Sequence, residues 1–161
     1  MQASAKLTKN MQSILVDLID LHLQGKQAHW NIVGTNFRDL HLQLDEIIAD
    51  VREFSDVVAE RMRALDAVPD GRSETVTKTS HLSKFPAGEV LTSDAVDLIT
   101  GRLDTTVDYI RSVHDAVDEE DPTTADILHA ILEKLEQYSW MVSAENRKPR
   151  GASVKKSARA S

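Results

Sequence analysis

The chain lacks cysteine, has few aromatic residues and contains no long apolar run, and each absence excludes a class of protein. Without cysteine there is no disulfide scaffold and no thiolate metal site. No stretch approaches the roughly 18 apolar residues of a membrane span, and no basic start precedes an apolar segment. We therefore expect a soluble, cytoplasmic protein. Aromatic residues make up only 4% of the chain, which favours packed aliphatic helices over a sheet.

The charges are segregated along the chain. Its 161 residues carry a formal charge of −7, yet the segment 147–161 holds six basic residues and no acidic one. The remainder has 13 Lys and Arg against 26 Asp and Glu. This distribution predicts a folded acidic domain over 1–146 and a flexible basic tail over 147–161. The tail either binds an anionic partner or only aids solubility.

Four segments repeat apolar residues in alternating steps of three and four, which is typical of one face of an α-helix. They span residues 7–32, 40–65, 96–117 and 128–142. Gly34 is suited to cap the C-terminus of the first helix, and Thr35 or Asn36 can cap the N-terminus of the second. Asp121 and Pro122 form a favourable start for the fourth. The sequence predicts an all-α protein.

The lengths of the connections predict the topology. Short links follow the first and third helices, so each helix pair should form an antiparallel hairpin. The middle link, residues 67–91, contains two prolines and two glycines and is long enough to return along the bundle. A short helix within it is expected over 73–80. The arrangement predicted is a four-helix bundle with a long crossover, the ferritin-like connectivity.

Histidines and carboxylates recur at helical spacing on the first two helices. His41 and Asp45 are four residues apart on the second helix, as are Asp56 and Glu60, so each pair shares a face. The two pairs are separated by about 16 Å along the axis, too far for one metal ion. If two copies pack this helix antiparallel about a two-fold axis, one pair meets the other pair of the partner. His29, near the end of the first helix, can join the His41 end.

Imidazole and carboxylate without thiolate suit Fe(II), Mn(II) or Zn(II). Redox chemistry would require iron or manganese. Taken singly, each of these residues could instead be a solvated carboxylate or a hydrogen-bonded structural histidine. Their convergence on one site is what favours metal binding.

These residues resemble the ferroxidase motif of the Dps family, the ferritin-like DNA-binding proteins from starved cells. The matching residues are Lys26-Gln-Ala-His29-Trp30-Asn-Ile-Val-Gly34, Phe37, His41, Asp45 and Asp56-Val-Val-Ala-Glu60-Arg61. Segments at 80–88 and 124–128 and Trp140 extend the resemblance over nearly the whole chain. The Glu-x-x-His motif of ordinary ferritins is missing, with only a loose echo at Asp126-Ile-Leu-His129, which argues against a bacterioferritin.

The resemblance implies a hollow dodecamer that oxidises Fe(II), preferably with hydrogen peroxide rather than dioxygen, and stores the ferric mineral inside. It assigns His29, His41 and Asp45 to one subunit and Asp56 and Glu60 to its partner. It also implies that Lys26 and Trp30 support the ligands, although a surface salt bridge and core packing are the alternative roles.

The resemblance further places an acidic segment at three-fold pores through which iron enters. The residues expected there are Asp118, Glu119, Asp121 and Asp126. A ring of acids would concentrate cations, whereas the ordinary explanation is that carboxylates favour the start of a helix. Nearby Glu120 shares both explanations.

DNA binding is expected from the basic tail, because the Lys-rich N-terminal arm common in DNA-binding Dps proteins is missing. The residues expected to contact phosphates are Arg147, Lys148, Arg150, Lys155, Lys156 and Arg159. A protein of this kind would be associated with the nucleoid. The rival hypothesis is a structural nucleoid protein whose metal site is vestigial or only stabilising.

Overall fold

The computed structural model describes residues 1–149, in which four long helices form a bundle. The elements in chain order are α1 (Ala5–Asn31), β1 (Ile32–Val33), α2 (Phe37–Ala64), α3 (Ser73–Thr79), β2 (Val90–Leu91), α4 (Thr92–Glu120) and α5 (Pro122–Ala144). The predicted helical fold, including the short helix of the crossover, is confirmed. The two strands were not predicted, because two residues are too few to show an alternating pattern.

The parallel pairing of the two strands shows which helices run in the same direction. β1 and β2 are parallel, with Ile32 opposite Val90 and Val33 opposite Leu91. Because β1 leads towards α2 and β2 leads into α4, these two helices begin at the same end of the bundle. α1 packs along α2 and α4 along α5 as two antiparallel hairpins, and α1 also contacts α4. This is the predicted ferritin-like connectivity.

The turn between α1 and α2 differs from the expected capping. α1 ends at Asn31 and continues into extended backbone at Ile32, so Gly34 is not its cap. Gly34 has φ +120, and a Cβ there would lie 3.2 Å from the Thr92 hydroxyl oxygen; glycine relieves both constraints. Asn36 occupies the N-cap of α2 in the left-handed region but makes no capping bond. Its amide instead donates to Glu145, at 3.0 Å.

The core between the helices is aliphatic, as the composition predicted. Its fully buried large side chains are Leu7, Met11, Ile14, Leu18, Leu21, Ile32, Leu44, Ile47, Met62, Ile99, Leu103 and Ile110. Burying such side chains stabilises the fold by about 2 kcal/mol each. Among the described residues, no helix is both long enough and apolar enough to cross a membrane.

The crossover is bound to the bundle by a buried carboxylate. Asp17 of α1 has no exposed surface, and it accepts hydrogen bonds from the backbone N–H of His81 at 2.9 Å and from its ring at 2.8 Å. The His81 ring also stacks on Tyr109 of α4, with centroids 4.4 Å apart. His81 therefore joins three parts of the chain, a role its sequence position did not indicate.

Candidate metal centre

His29 and His41 face each other across the α1–α2 hairpin. The Nδ1 of each ring lies 3.0 Å from the backbone carbonyl oxygen of the other residue. The rings are stacked, with centroids 3.7 Å apart. Because a carbonyl only accepts, both Nδ1 atoms must carry the proton, which leaves the Nε2 lone pair of each neutral ring for a metal ion.

Asp45 completes a three-residue cluster one turn after His41. Ligand atoms of His29, His41 and Asp45 all lie within 4.8 Å of one another. His29 is nearly buried, whereas the Asp45 side chain is 46% exposed. The cluster therefore opens at the surface of the chain, where a metal ion can enter and a further ligand can approach. Of the residues within 1–149, these form the only such group of three or more.

Lys26 lies beside this cluster. Its ammonium donates to Asp45 Oδ1 at 2.6 Å. This hydrogen bond lowers the pKa of Asp45, outweighing the opposing effect of desolvation. The carboxylate is thus held ionised and in place. A metal ion bound here must share Asp45 with the ammonium or displace it.

Asp56 and Glu60 are not brought to the cluster within the chain. Both are exposed and lie further along α2, with Asp56 about 16 Å from Asp45 along the helix axis. The chain therefore holds two separate groups of candidate ligands on one helix. This separation is the one inferred from their spacing in the sequence.

Exposed apolar side chains lie on the hairpin that carries the cluster and on the adjoining strand pair. Trp30, adjacent to His29, is 68% exposed, and Phe37 is 43% exposed with its ring 5.1 Å from that of His41. Val33 and Leu91 of the strand pair are also exposed. The exposure of Trp30 excludes the alternative that it packs in the core of the chain. Large exposed apolar groups around a polar cluster are typical of a surface that another protein covers.

The acidic segment between α4 and α5 divides into two kinds of residue. Asp118, Glu119 and Asp126 are exposed. Glu120 accepts two hydrogen bonds from Ser4, both at 2.7 Å. Asp118, Glu119 and Asp126 therefore present their carboxylates to solvent, whereas the Glu120 carboxylate is bound to the residue that precedes α1.

Asp121 departs from the expectation for this segment. Its side chain is buried, it accepts from Arg61 at 2.7 Å and from the Thr124 hydroxyl, and it makes no capping bond to the backbone of α5. Burial raises the pKa of Asp121, but the bonds from Thr124 and Arg61 prevail, so its pKa is lowered overall. We leave Asp121 out of any pore, because its carboxylate ties α2 to α5 inside the bundle.

The basic tail is only partly covered by the structure. Arg147 and Lys148 are exposed just beyond the end of α5. The other four expected phosphate-binding residues, namely Arg150, Lys155, Lys156 and Arg159, lie outside the described residues.

Sequence reasoning assigned no role to His114 and His129. The structure places their rings together between α4 and α5, with Nε2 atoms 2.7 Å apart. The two residues lie at equal distances on either side of the turn at residues 121–122, so their opposition follows from the hairpin. That equal spacing is a signal by which the pair could have been found.

Comparison with known proteins identifies the family. Residues 8–151 match the ferritin-like domain family. DNA protection during starvation protein 2 of Deinococcus radiodurans is 34% identical over 139 residues, which cover 86% of this chain. The match spans only 58% of that relative's length.

Two solved structures extend the similarity to the fold. Dps92 from Deinococcus radiodurans is 32% identical, with a TM-score of 0.87 over 90% of this chain and 88% of that one. The Dps from Microbacterium arborescens in its high iron form is 26% identical, with a TM-score of 0.85 over 92% and 99% of the two chains. The chain belongs to the ferritin-like family and, within it, to the Dps proteins.

Proposed function

We propose that this protein is a ferroxidase and iron store that oxidises Fe(II) at sites shared between two subunits and holds the ferric product in a hollow dodecamer. The observation that carries the proposal is the His29, His41 and Asp45 cluster, whose imidazoles are oriented by reciprocal hydrogen bonds. A relative of the same fold exists in a high iron form, which supports iron as the metal. Iron is here the substrate.

The proposed site is completed by a second copy of the chain. Asp56 and Glu60 on α2 of the partner would approach the cluster when the two helices pack antiparallel. The exposed Trp30 and Phe37 around the cluster would be covered in the same contact. Lys26 keeps Asp45 ionised, and Trp30 would shield the site from bulk water.

The proposed reaction uses hydrogen peroxide as the oxidant. Two Fe(II) ions each give one electron to the peroxide, the O–O bond breaks, and two protons complete two molecules of water. Carboxylates and neutral imidazoles suit the change from Fe(II) to Fe(III), because oxygen ligands favour the harder ion while nitrogen ligands retain the softer one. Removing peroxide and Fe(II) together would limit damage to nearby DNA.

Iron would reach the interior through acidic pores. Asp118, Glu119 and Asp126 are the residues we propose for them, since all three are exposed at the end of α4 or in the first turns of α5. A ring of such carboxylates, repeated by symmetry, would raise the local concentration of Fe(II).

The ferroxidase proposal is tested by removing one residue from each ligand group. The His41→Ala, Asp56→Ala double variant is expected to oxidise Fe(II) at least about 100-fold more slowly than wild type. Replacing residues that only support the ligands of a metal site already lowers affinity or activity by about 10- to 100-fold, and this variant loses two ligands. Ferric absorbance after Fe(II) addition, with peroxide or with dioxygen alone, measures the rate and identifies the preferred oxidant.

A matched control is the His129→Ala, Asp108→Ala variant, which removes the same residue types from exposed positions on α5 and α4, away from the cluster. It should oxidise Fe(II) at the wild-type rate. Equal rates of Fe(II) oxidation in wild type, the double variant and the control would contradict the ferroxidase proposal. The rival hypothesis, a structural nucleoid protein whose metal site is vestigial, would then remain.

DNA binding is the second part of the proposal. Arg147 and Lys148 begin a basic segment at the exposed end of α5, and twelve copies on one particle would bind phosphates through many weak contacts. This would place the protein at the nucleoid. Recognition would be independent of base sequence, because the contacts are to the backbone.

Deleting residues 147–161 is expected to abolish retardation of DNA in a gel at low salt. A variant with all six basic residues of the tail changed to Gln keeps its length, so it separates charge from bulk and should behave like the deletion. Wild-type retardation should weaken steeply with added salt. Unchanged retardation by the truncated protein would place the DNA-binding surface elsewhere on the particle.

A further inference from the structure

His114 of α4 and His129 of α5 form a pair of opposed imidazoles outside the site described above. Their Nε2 atoms are 2.7 Å apart, their ring centroids are 4.6 Å apart, and the two ring planes differ by 30°. The His114 side chain is 19% exposed and that of His129 is 59% exposed. The pair therefore lies at the rim of the α4–α5 hairpin, accessible from solvent.

A carboxylate stands behind each ring. His114 Nδ1 lies 3.3 Å from Asp115 Oδ1, and His129 Nδ1 lies 3.7 Å from Asp126 Oδ1. An acceptor beside Nδ1 favours the tautomer that carries its proton there, which directs the lone pair of Nε2 away from the carboxylate. Both lone pairs would then point at each other. Carboxylate, imidazole and metal ion in that order is a recurring arrangement in metal sites.

We propose that His114 and His129 form a second metal site, which binds a divalent transition-metal ion of the Zn(II) class through the two Nε2 atoms. Imidazole nitrogen is the preferred ligand of such ions in a site without cysteine. The site shares no residue with the cluster on α1 and α2, so it does not depend on the ferroxidase proposal.

The geometry requires only a small adjustment. With metal–nitrogen distances of about 2.0 to 2.1 Å and a tetrahedral angle, two Nε2 atoms lie about 3.3 Å apart. The rings must therefore separate by roughly 0.6 Å, which the exposed His129 side chain can do by rotation. Without a metal ion, one Nε2 must carry the proton and donate a hydrogen bond to the other, so the Nδ1 of that neutral ring has no proton to direct at its carboxylate.

The surroundings leave space for water to complete the coordination. A cavity of about 140 Å³ adjoins the pair, lined by Arg111, His114, Asp115, His129 and Leu132. The Arg111 guanidinium would repel a cation, but it is bound to Glu136 of α5, with its Nε 2.7 Å from the carboxylate. The remaining charges at the pair, Asp115 and Asp126, are both negative and favour a cation.

Titration with Co(II), a spectroscopic substitute for Zn(II), tests the site in the assembled full-length protein. Wild type is expected to bind about one more equivalent per chain than the His129→Asn and His114→Gln variants, and its spectrum should show nitrogen ligands. The His41→Ala variant should retain that equivalent, and His22→Asn should match wild type. Equal uptake by wild type, His129→Asn and His114→Gln would overturn the proposal.

A second measurement needs no variant. Zn(II) is expected to protect His114 and His129 of the wild-type protein from carbethoxylation by diethyl pyrocarbonate, as read by mass spectrometry of the peptides. His22 serves as the internal reference and should react equally with and without Zn(II). Modification of His129 at the same rate in both conditions would contradict metal binding at the pair.

Discussion

Mixing the inactive His41→Ala and Asp56→Ala chains is expected to restore Fe(II) oxidation to about one quarter of the wild-type level. In a two-fold dimer each site takes its histidines from one subunit and Asp56 from the other. A mixed dimer therefore holds one site without either change and one site with both. Half of the dimers are mixed when the chains assemble at random in equal amounts, and each restores one of its two sites.

The matched control mixes two chains altered in the same group of ligands. In a dimer of His29→Ala with His41→Ala, each site takes its histidine group from one altered subunit, so neither site is intact. This mixture should stay as inactive as its components. Both mixtures are prepared by co-expression, and the initial rate of ferric absorbance is compared at equal protein concentration.

The outcome separates three arrangements of the site. Recovery only in the first mixture supports a site shared between subunits. No recovery in either mixture would place all the required ligands in one chain, against the separation of Asp56 from Asp45 along α2. An Asp56→Ala chain that is already active by itself would show that His29, His41 and Asp45 suffice without the partner's carboxylates.

Much of the candidate site followed from sequence because it depends on regular geometry. His29 and His41 are equidistant from the turn at residue 35, so an antiparallel hairpin places them opposite each other. The same reasoning, applied to the turn at 121–122, pairs His114 with His129. It fails for the detailed contacts, since neither the stacking of His29 on His41 nor the bond from Lys26 to Asp45 can be read from spacing.

The features that sequence could not reveal are pairings across long stretches of chain. Asp121 lies in an acidic run at the start of a helix, where exposure is the ordinary expectation. Its burial depends on Arg61, which is 60 residues away and comes close only because α2 packs against α5. The pairing of β1 with β2 likewise requires the crossover to return to the end of the bundle where α2 begins.

Replacing Arg102 by methionine is expected to lower the free energy of unfolding by about 3 kcal/mol. The substitution removes a buried cation and leaves its hydrogen-bond acceptors without a donor. Arg102 is 6% exposed. It donates to the Gln24 side chain and, in its own helix, to the carbonyl of Leu98 at 2.7 Å. It also donates to the crossover carbonyls of Ser83 at 3.0 Å and Lys84 at 2.9 Å.

The cost of burial makes these bonds necessary. Burial lowers the pKa of Arg102, and the charge of Asp20 acts in the opposite direction. The guanidinium also lies over the ring of Phe85, 5.1 Å from its centroid. Methionine keeps most of the packing of the aliphatic stem, so the loss reports mainly the hydrogen bonds that join α1, α4 and the crossover.

Arg111→Met is the matched control, since it makes the same substitution on the same helix. Arg111 is 58% exposed and pairs with Glu136 at the surface, so its loss should change the free energy of unfolding by no more than about 0.5 kcal/mol. Both variants are unfolded in urea at one subunit concentration, because assembly adds to the measured stability. Arg102→Met should also speed proteolysis within residues 65–91. Equal stability of the two variants would contradict the role of Arg102 as the anchor of the crossover.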